Sequence, residues 1–256
     1  MKRDEGNGMS AMDTDLVMQE LEGLLGSSGL ERVEECLAIL TGRSTPEYLH
    51  DEQEPTRLFF PGISALPWHD TTGPGWVRTM QEAYPQILAE FHALREEQAR
   101  FAPYEDLYTK ELGWQGWDTY QLYRNGEWRA EARSQCPVTV ESLEQTPHGP
   151  RDGMFTVLNP GVHITPHTGG VNLLLTAHLP LVVPPDCSIK VADDERTWQE
   201  GEVILFDDSF IHEAWNRGTR QRSVLLWDVW HPELTEVEIK ALSILMPRFQ
   251  QYLMAV

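Results

Sequence analysis

GVHITPHTGGVNLLLTAHLPLVVPPDCSIKVADDERTWQEGEVILFDDSFIHEAWNRGTRQR, residues 161–222, carries the clearest structural pattern in the chain. It holds four of the nine histidines. His167 follows the turn-forming Pro166 and precedes Thr168-Gly169-Gly170. His212 comes at the end of an apolar run, Val203-Ile204-Leu205-Phe206, that reads as a buried strand. Arg222 enters a second such strand, Ser223-Val224-Leu225-Leu226-Trp227. From Met154 onward, short apolar runs alternate with turns, the signature of a sandwich or barrel. Taking Val171 to Leu179 as a strand, the period of two puts Asn172, Leu174, Thr176 and His178 on one face and Leu173, Leu175 and Ala177 in the core. On the strand of Arg222, the residues that share the guanidinium's face are Val224, Leu226 and Asp228. Arg222 and His178 therefore converge on one pocket from two strands.

Composition bounds what such a pocket serves. At 256 residues the chain suits one large β-rich domain or two small ones. Its three cysteines, Cys36, Cys136 and Cys187, are widely spaced and form no Cys-x-x-Cys pair. That argues against a disulfide framework or a structural zinc site, and a reducing cytoplasm fits best. The basic residues at the N-terminus precede no apolar run, and no stretch approaches the ~20 apolar residues of a membrane span. A formal charge of −20 argues against nucleic acid and anionic membranes as partners.

Outside the central stretch, residues 1–12 are polar, lack a period and read as disordered. Residues 13–43 carry two short apolar stripes around Gly26-Ser27-Ser28-Gly29, a helical hairpin suited to packing on the main domain, dimerising or docking a partner protein. Residues 44–56 read as a linker. The main domain is expected over 57–256. It opens with a short strand at Arg57–Gly62, then a helical pattern that Pro85 kinks or restarts. A strand follows at Trp117–Tyr123, with a hairpin signal at Asn125-Gly126. A loop around a short helix is expected from Cys136 to Pro150, and a helix from Glu233 to the C-terminus.

Neutral imidazoles on rigid strands suit iron, nickel or zinc. An arginine in the floor of a barrel is costly to bury unpaired, and an arriving dicarboxylate would supply its bidentate partner. Several blocks then carry a resemblance: PHTGG at 166–170, His178-Leu179, Phe206-Asp207-Asp208-Ser209-Phe210-Ile211-His212-Glu213-Ala214-Trp215, and Asp228-Val229-Trp230-His231-Pro232-Glu233-Leu234. In this order they resemble the aspartyl/asparaginyl β-hydroxylase family, clearly over about 154–235 and more faintly from Phe59 to Tyr123. The resemblance implies a mainly β fold with flanking helices, built on a double-stranded β-helix (a cupin-like jelly roll). It also implies a dioxygenase that uses Fe(II), 2-oxoglutarate and O2 to hydroxylate an unactivated C–H bond, the β-carbon of an Asp/Asn-like residue in a peptide, a carrier-bound amino acid or a small metabolite. His167 and His212 match the two iron ligands; Arg222 and His178 match the positions that bind the 2-oxoglutarate carboxylate. Thr156 stands where a hydroxyl adds a hydrogen bond to the same group.

Where most iron oxygenases of this shape carry an acid two residues after the first histidine, this chain has Gly169. Water is expected in the vacant position, held by Asp208; direct binding by Asp207 or Asp208 is the alternative, and either residue also suits a turn cap. The family's protein-hydroxylating members have basic residues where this chain has Leu174 and Thr176. Arg124, Arg129, Arg133 and Arg217 are candidate replacements, or the substrate is a different one: a peptide, a carrier-bound amino acid or a small metabolite. The rival readings are a non-catalytic cupin-like binding protein and a zinc hydrolase, which normally offers three protein ligands.

Overall fold

The computed structural model describes residues 13–97, 101–104 and 115–254, so the segment 1–12, expected to be disordered, lies outside it. Alternating side chains and short turns fold the middle of the chain into antiparallel strands. They are β1 (Ala102–Pro103), β2 (Trp117–Arg124), β3 (Glu127–Trp128), β4 (His148–Leu158), β5 (His163–His167), β6 (Leu174–Val182), β7 (Cys187–Val191), β8 (Asp194–Arg196), β9 (Ile204–Phe206), β10 (His212–Asn216) and β11 (Arg222–Trp230). The larger sheet runs β1-β2-β4-β11-β6-β9, with β3 hydrogen-bonded to β2; the smaller runs β5-β10-β7-β8. The chain passes repeatedly from one sheet to the other, which makes this a double-stranded β-helix with flanking helices.

Local chemistry explains several elements. Asn125 and Gly126 both take positive φ, 55° and 78°, as the two-residue turn between β2 and β3 demands. Between the sheets lie Leu158, Ile164, Ile189, Val191, Phe206, Ala214 and Val224. The other face of the larger sheet, including Phe155, Leu175, Ala177, Leu179, Leu225 and Trp227, packs with buried residues of three helical segments. These are α3 (Gly75–Glu96), which follows α1 (Thr14–Leu25) and α2 (Glu31–Leu40), then α4 (Ala132–Gln135) and α5 (Pro137–Glu144). Pro85 starts no new helix, since α3 runs through it without a break. Buried Val77 and Met80 before it, and Ile87, Phe91 and Leu94 after it, anchor both halves, and packing outweighs the lost backbone hydrogen bond.

Three expectations about strands need correction. Arg57–Gly62 is irregular, with a single bridge residue at Leu58. The strand expected at Val171–Leu179 is displaced to Leu174–Val182. His212 does not close the apolar run at 203–206 but opens β10, because the Asp207-Asp208-Ser209 turn intervenes: Asp207 Oδ1 accepts from Ser209 N at 2.9 Å.

The chain divides into two compact units. One contains α1, α2, Arg57–Ile63 and the C-terminal helix α6 (Glu236–Met254); the other contains Tyr48–Thr56 and Ser64–Pro232. The C-terminal helix was expected in the β domain, but its apolar stripe, including Leu242, Leu245 and Phe249, belongs to the unit of the N-terminal hairpin. Residues 48–56, expected as linker, belong to the β unit. Among the described residues no helix is long and apolar enough to cross a membrane.

Within the helical unit Glu238 has two tasks. It closes a capping box at the start of α6, accepting from Thr235 N at 2.8 Å while Thr235 Oγ1 accepts from Glu238 N at 3.3 Å. It also receives Arg32 through Nε at 2.7 Å and Nη2 at 2.6 Å. Burial raises the Glu238 pKa, but the hydrogen bonds from Arg32 and Thr235 outweigh it and hold the carboxyl below its ordinary value. A depressed carboxyl stabilises the fold above the unfolded pKa and loses that contribution as pH falls through the folded one. Glu238→Gln is expected to cost about 2 kcal/mol at pH 7. In denaturant titrations the difference from wild type should shrink below about pH 4.

Candidate active site

The β5–β10 ladder places His212 directly opposite His167. Their ring centroids lie 4.1 Å apart, with the planes at 49°. Each ring has its Nδ1 against a carbonyl two residues upstream: His167 on Thr165 O at 2.8 Å, His212 on Phe210 O at 2.9 Å. A carbonyl only accepts, so each Nδ1 carries the proton and each lone pair sits on Nε2. Burial, and next the neighbouring His212, push the His167 pKa down to about 3; burial also lowers that of His212. Two neutral imidazoles on one rung are thus prepared to ligate a metal.

Gly169 adds no side chain, yet its surroundings are filled. A Cβ there would come within 2.5 Å of Asp208 Cγ and Oδ1. Asp208 reaches this spot from the turn before β10, with its own carbonyl accepting Gly169 N at 2.6 Å. Its Oδ2 accepts from Arg151 Nη2 at 2.8 Å, while Oδ1 is buried with no hydrogen-bond partner. Among the described residues no group of three or more His, Cys, Asp or Glu gathers as a metal cluster. Two imidazoles beside an unsatisfied carboxylate oxygen suit a metal whose remaining ligands are oxygen atoms of small molecules.

Deeper between the sheets, Arg222 opens β11, buried to 2% exposure. Its Nε has no partner, and Nη1 lies 3.5 Å from Thr156 Oγ1 on β4. The guanidinium sits over the Trp198 ring, 4.5 Å from its centroid. Burial pushes its pKa down to about 10, so it stays charged at neutral pH. Trp198 Nε1 donates to His178 Nδ1 at 3.2 Å. An indole only donates, so His178 Nδ1 is the acceptor and its proton sits on Nε2, which is buried without a partner. Burial, then the Arg222 charge, hold the His178 pKa well below normal. Arg222 Nε and His178 Nε2–H are therefore buried donors lacking an acceptor, beside the Thr156 hydroxyl that receives Arg222 Nη1, and a carboxylate is the group that satisfies both. Phe206 stands between the two halves, its ring centroid 5.2 Å from that of His178 and 5.9 Å from that of His212.

The structure thus brings His167 together with His212 and Asp208, and Arg222 together with His178 and Thr156. Asp207 is fully buried, accepting from Ser209 and from Gln53 Nε2, and it caps the turn. The candidate replacement bases have other tasks: Arg124 pairs with Asp152, Arg133 with Glu144, and Arg217 stacks on Trp215, while Arg129 is exposed. Beside Thr176 stands a base that the sequence reading missed, Arg151, at 3.5 Å from Thr176 Oγ1 and paired with Asp208 and Asp228. Strict alternation from Thr156 sends residue 151 to the opposite face. The ladder slips at Gln121/Tyr123 and Trp227/Val229, both next to Gly153, and the slip turns Arg151 toward the site. Trp198 and the segment Tyr48–Thr56 were also missed. That segment lies along the turn: Glu54 N donates to Ser209 O at 3.0 Å, Ile211 N to Glu52 O at 3.0 Å, and Thr56 N to Gly169 O at 3.0 Å.

Comparison with known proteins gives the family of the chain. The sequence model of the family described as Aspartyl/Asparaginyl beta-hydroxylase matches residues 81–232. The human aspartyl/asparaginyl beta-hydroxylase is 35% identical over 190 residues, 71% of this chain but only 25% of that protein. An ornithine lipid ester-linked acyl 2-hydroxylase of Rhizobium tropici is 31% identical over 185 residues, 70% of this chain and 66% of that one. A crystal structure of a Pseudomonas putida prolyl-4-hydroxylase covers 58% of this chain and 88% of its own at 16% identity, with a TM-score of 0.39. With a family model matching more than half of its residues, from within α3 to the end of β11, the chain belongs to the aspartyl/asparaginyl beta-hydroxylase family.

Proposed function

We propose that this protein is an Fe(II)- and 2-oxoglutarate-dependent hydroxylase. The observation that carries the reading is the pair of unmatched buried donors, Arg222 Nε and His178 Nε2, beside the Thr156 hydroxyl and in the same inter-sheet space as the His167–His212 pair. A dicarboxylate is the ligand class suited to both ends, with one carboxylate on the buried donors and the other directed toward the histidines. Bound there, Fe(II) and 2-oxoglutarate supply the coupling of O2 reduction and CO2 loss to insertion of one oxygen atom into a substrate C–H bond, leaving succinate.

The chain's own residues then have separable duties. His167 and His212 present Nε2 lone pairs in a geometry that the backbone carbonyls of Thr165 and Phe210 hold in place. Arg222 pairs with the distal carboxylate, and Trp198 fixes both the plane of the guanidinium and the tautomer of His178. Asp208 Oδ1 offers an acceptor for an oxygen ligand at the position left by Gly169. Phe206 and the apolar residues between the sheets keep bulk water from the reacting atoms.

On the substrate side, Leu174 is fully buried and closely approaches Gly149, whose added Cβ would lie 2.5 Å from Leu174 Cδ2. Neither Leu174 nor Thr176 pairs with a carboxylate. This supports a target other than a simple acidic side chain: a peptide, a carrier-bound amino acid or a small metabolite.

Succinate should form from 2-oxoglutarate only when Fe(II) and O2 are both supplied, and His167→Ala or His212→Ala should abolish it. A wild-type protein that binds 2-oxoglutarate but never turns it over, even uncoupled, across candidate substrates would be a cupin-like binder instead. Arg222→Met should raise the 2-oxoglutarate KM about 10- to 100-fold, the loss of one charge-assisted carboxylate contact. An unchanged KM would place the cosubstrate elsewhere.

A further inference from the structure

Arg151 lies on none of the motifs that carry the family resemblance, yet it sits at the centre of the charged groups beside the histidine pair. Its Nε donates to Asp228 Oδ2 at 3.0 Å, and its Nη2 donates to Asp228 Oδ1 and, at 2.8 Å, to Asp208 Oδ2. Asp228, fully buried on β11, also accepts from Asp152 N at 2.9 Å. The guanidinium is thus gripped by one strand while it holds a carboxylate from the turn before β10. That carboxylate occupies a particular volume. Asp208 Cγ stands 2.5 Å from where a Cβ of residue 169 would be, so Asp208 and a side chain at 169 compete for one space. Residue 169 is two positions after His167, where related folds carry their third ligand. Asp208 is therefore within the neighbourhood of direct ligation, yet one of its oxygens is already committed to Arg151.

We propose that Arg151 is a positioning residue that holds the Asp208 carboxylate back from the metal, reserving that coordination position for an exchangeable oxygen ligand that Asp208 Oδ1 accepts from. The inference rests on the metal reading above and adds the residue that sets the coordination number. The fork geometry is essential. Two separate carboxylates are bound along different edges of one rigid guanidinium, which a lysine ammonium does not reproduce.

The test is Co(II) affinity in the presence of 2-oxoglutarate, followed by the visible absorption of the metal. Four full-length proteins are compared: wild type, R151M/D228N, D208N and R151M/D228N/D208N. Asp228→Asn accompanies the loss of Arg151 so that no unpaired charge remains buried on β11. Freed from Arg151, Asp208 should reach the metal, and R151M/D228N should bind Co(II) about tenfold more tightly than wild type, with a changed absorption envelope. Adding R151M/D228N to the Asp208→Asn protein should bring no such gain. An absent gain overturns the proposal. So does an equal gain in the Asp208→Asn background, since it would come from the missing cation rather than a released carboxylate. A second measurement needs no variant of the cluster. In a wild-type crystal with Co(II) and 2-oxoglutarate, one ordered water should separate Asp208 from the metal, and a direct bond would overturn the proposal. If wild type bound Co(II) no better than H167A/H212A, the metal reading itself would fall and take this inference with it. Tight wild-type binding without the gain sinks the role of Arg151 alone.

Discussion

The site depends on one rung of the β5–β10 ladder, where His212 faces His167. Side chains alternate along a strand, so a slip of one residue would send one imidazole to the opposite face. Register here is pinned from several directions. His212 also pairs with Val191 on β7, and the irregularity between His212 and Ala214 confines the extra residue on β5 to one place. Gly169 N on Asp208 O closes the two turns onto each other just beyond the rung. Rings this close are tolerable only if both are neutral, and burial ensures that they are.

A second constraint follows from the same packing. Burying Arg222 Nε and the Nε2–H of His178 without acceptors costs stability, since desolvated donors give up water and receive nothing. Stacking on Trp198 offsets part of that cost for the guanidinium, while the indole N–H on His178 Nδ1 commits the imidazole to pointing its proton inward. A fold that keeps unsatisfied donors converging on one point is prepared for an anion, since the same apolar surroundings that make burying them costly strengthen any ion pair formed there.

Legibility in the sequence followed regularity of the backbone. Where β6 and β11 pair in regular register, from Val224–Pro180 to Trp230–Leu174, alternation put His178 on one face and Leu175, Ala177, Leu225 and Trp227 on the other, as the cluster of buried side chains shows. Where the ladder slips beside Gly153, counting by twos fails, and Arg151 was invisible for that reason. Residues 48–56 are polar and lack a period, so they read as linker. Their order comes from backbone hydrogen bonds to residues more than a hundred positions away, which no local pattern encodes. The stripe of the C-terminal helix was readable as a buried face, but a stripe does not name its partner, and Arg32 with Glu238 ties that helix to α2. His167, His212 and Asp208 came from motif order and not from periodicity, since each sits at the edge of an element where propensity says little.

Asp207 and Asp208 show how adjacent identical residues are given different work. The chain runs from β9 into a turn, and neighbouring side chains in such backbone point to different sides. Asp207 turns inward, is fully buried, and accepts from Ser209 and Gln53. Burial pushes its pKa up to about 7, partly opposed by those hydrogen bonds. It holds the turn and the segment 48–56 together and has no route to the histidines. Asp208 turns the other way, meets Arg151, and fills the space that the missing Cβ of Gly169 leaves open. Gly169 and Asp208 are therefore one feature: any side chain at 169 would displace the carboxylate, and without the carboxylate the glycine would leave a hole beside the paired histidines. The turn cap that fixes Asp207 is what aims Asp208, so the two-histidine site draws its geometry as much from that turn as from the strands that carry the imidazoles.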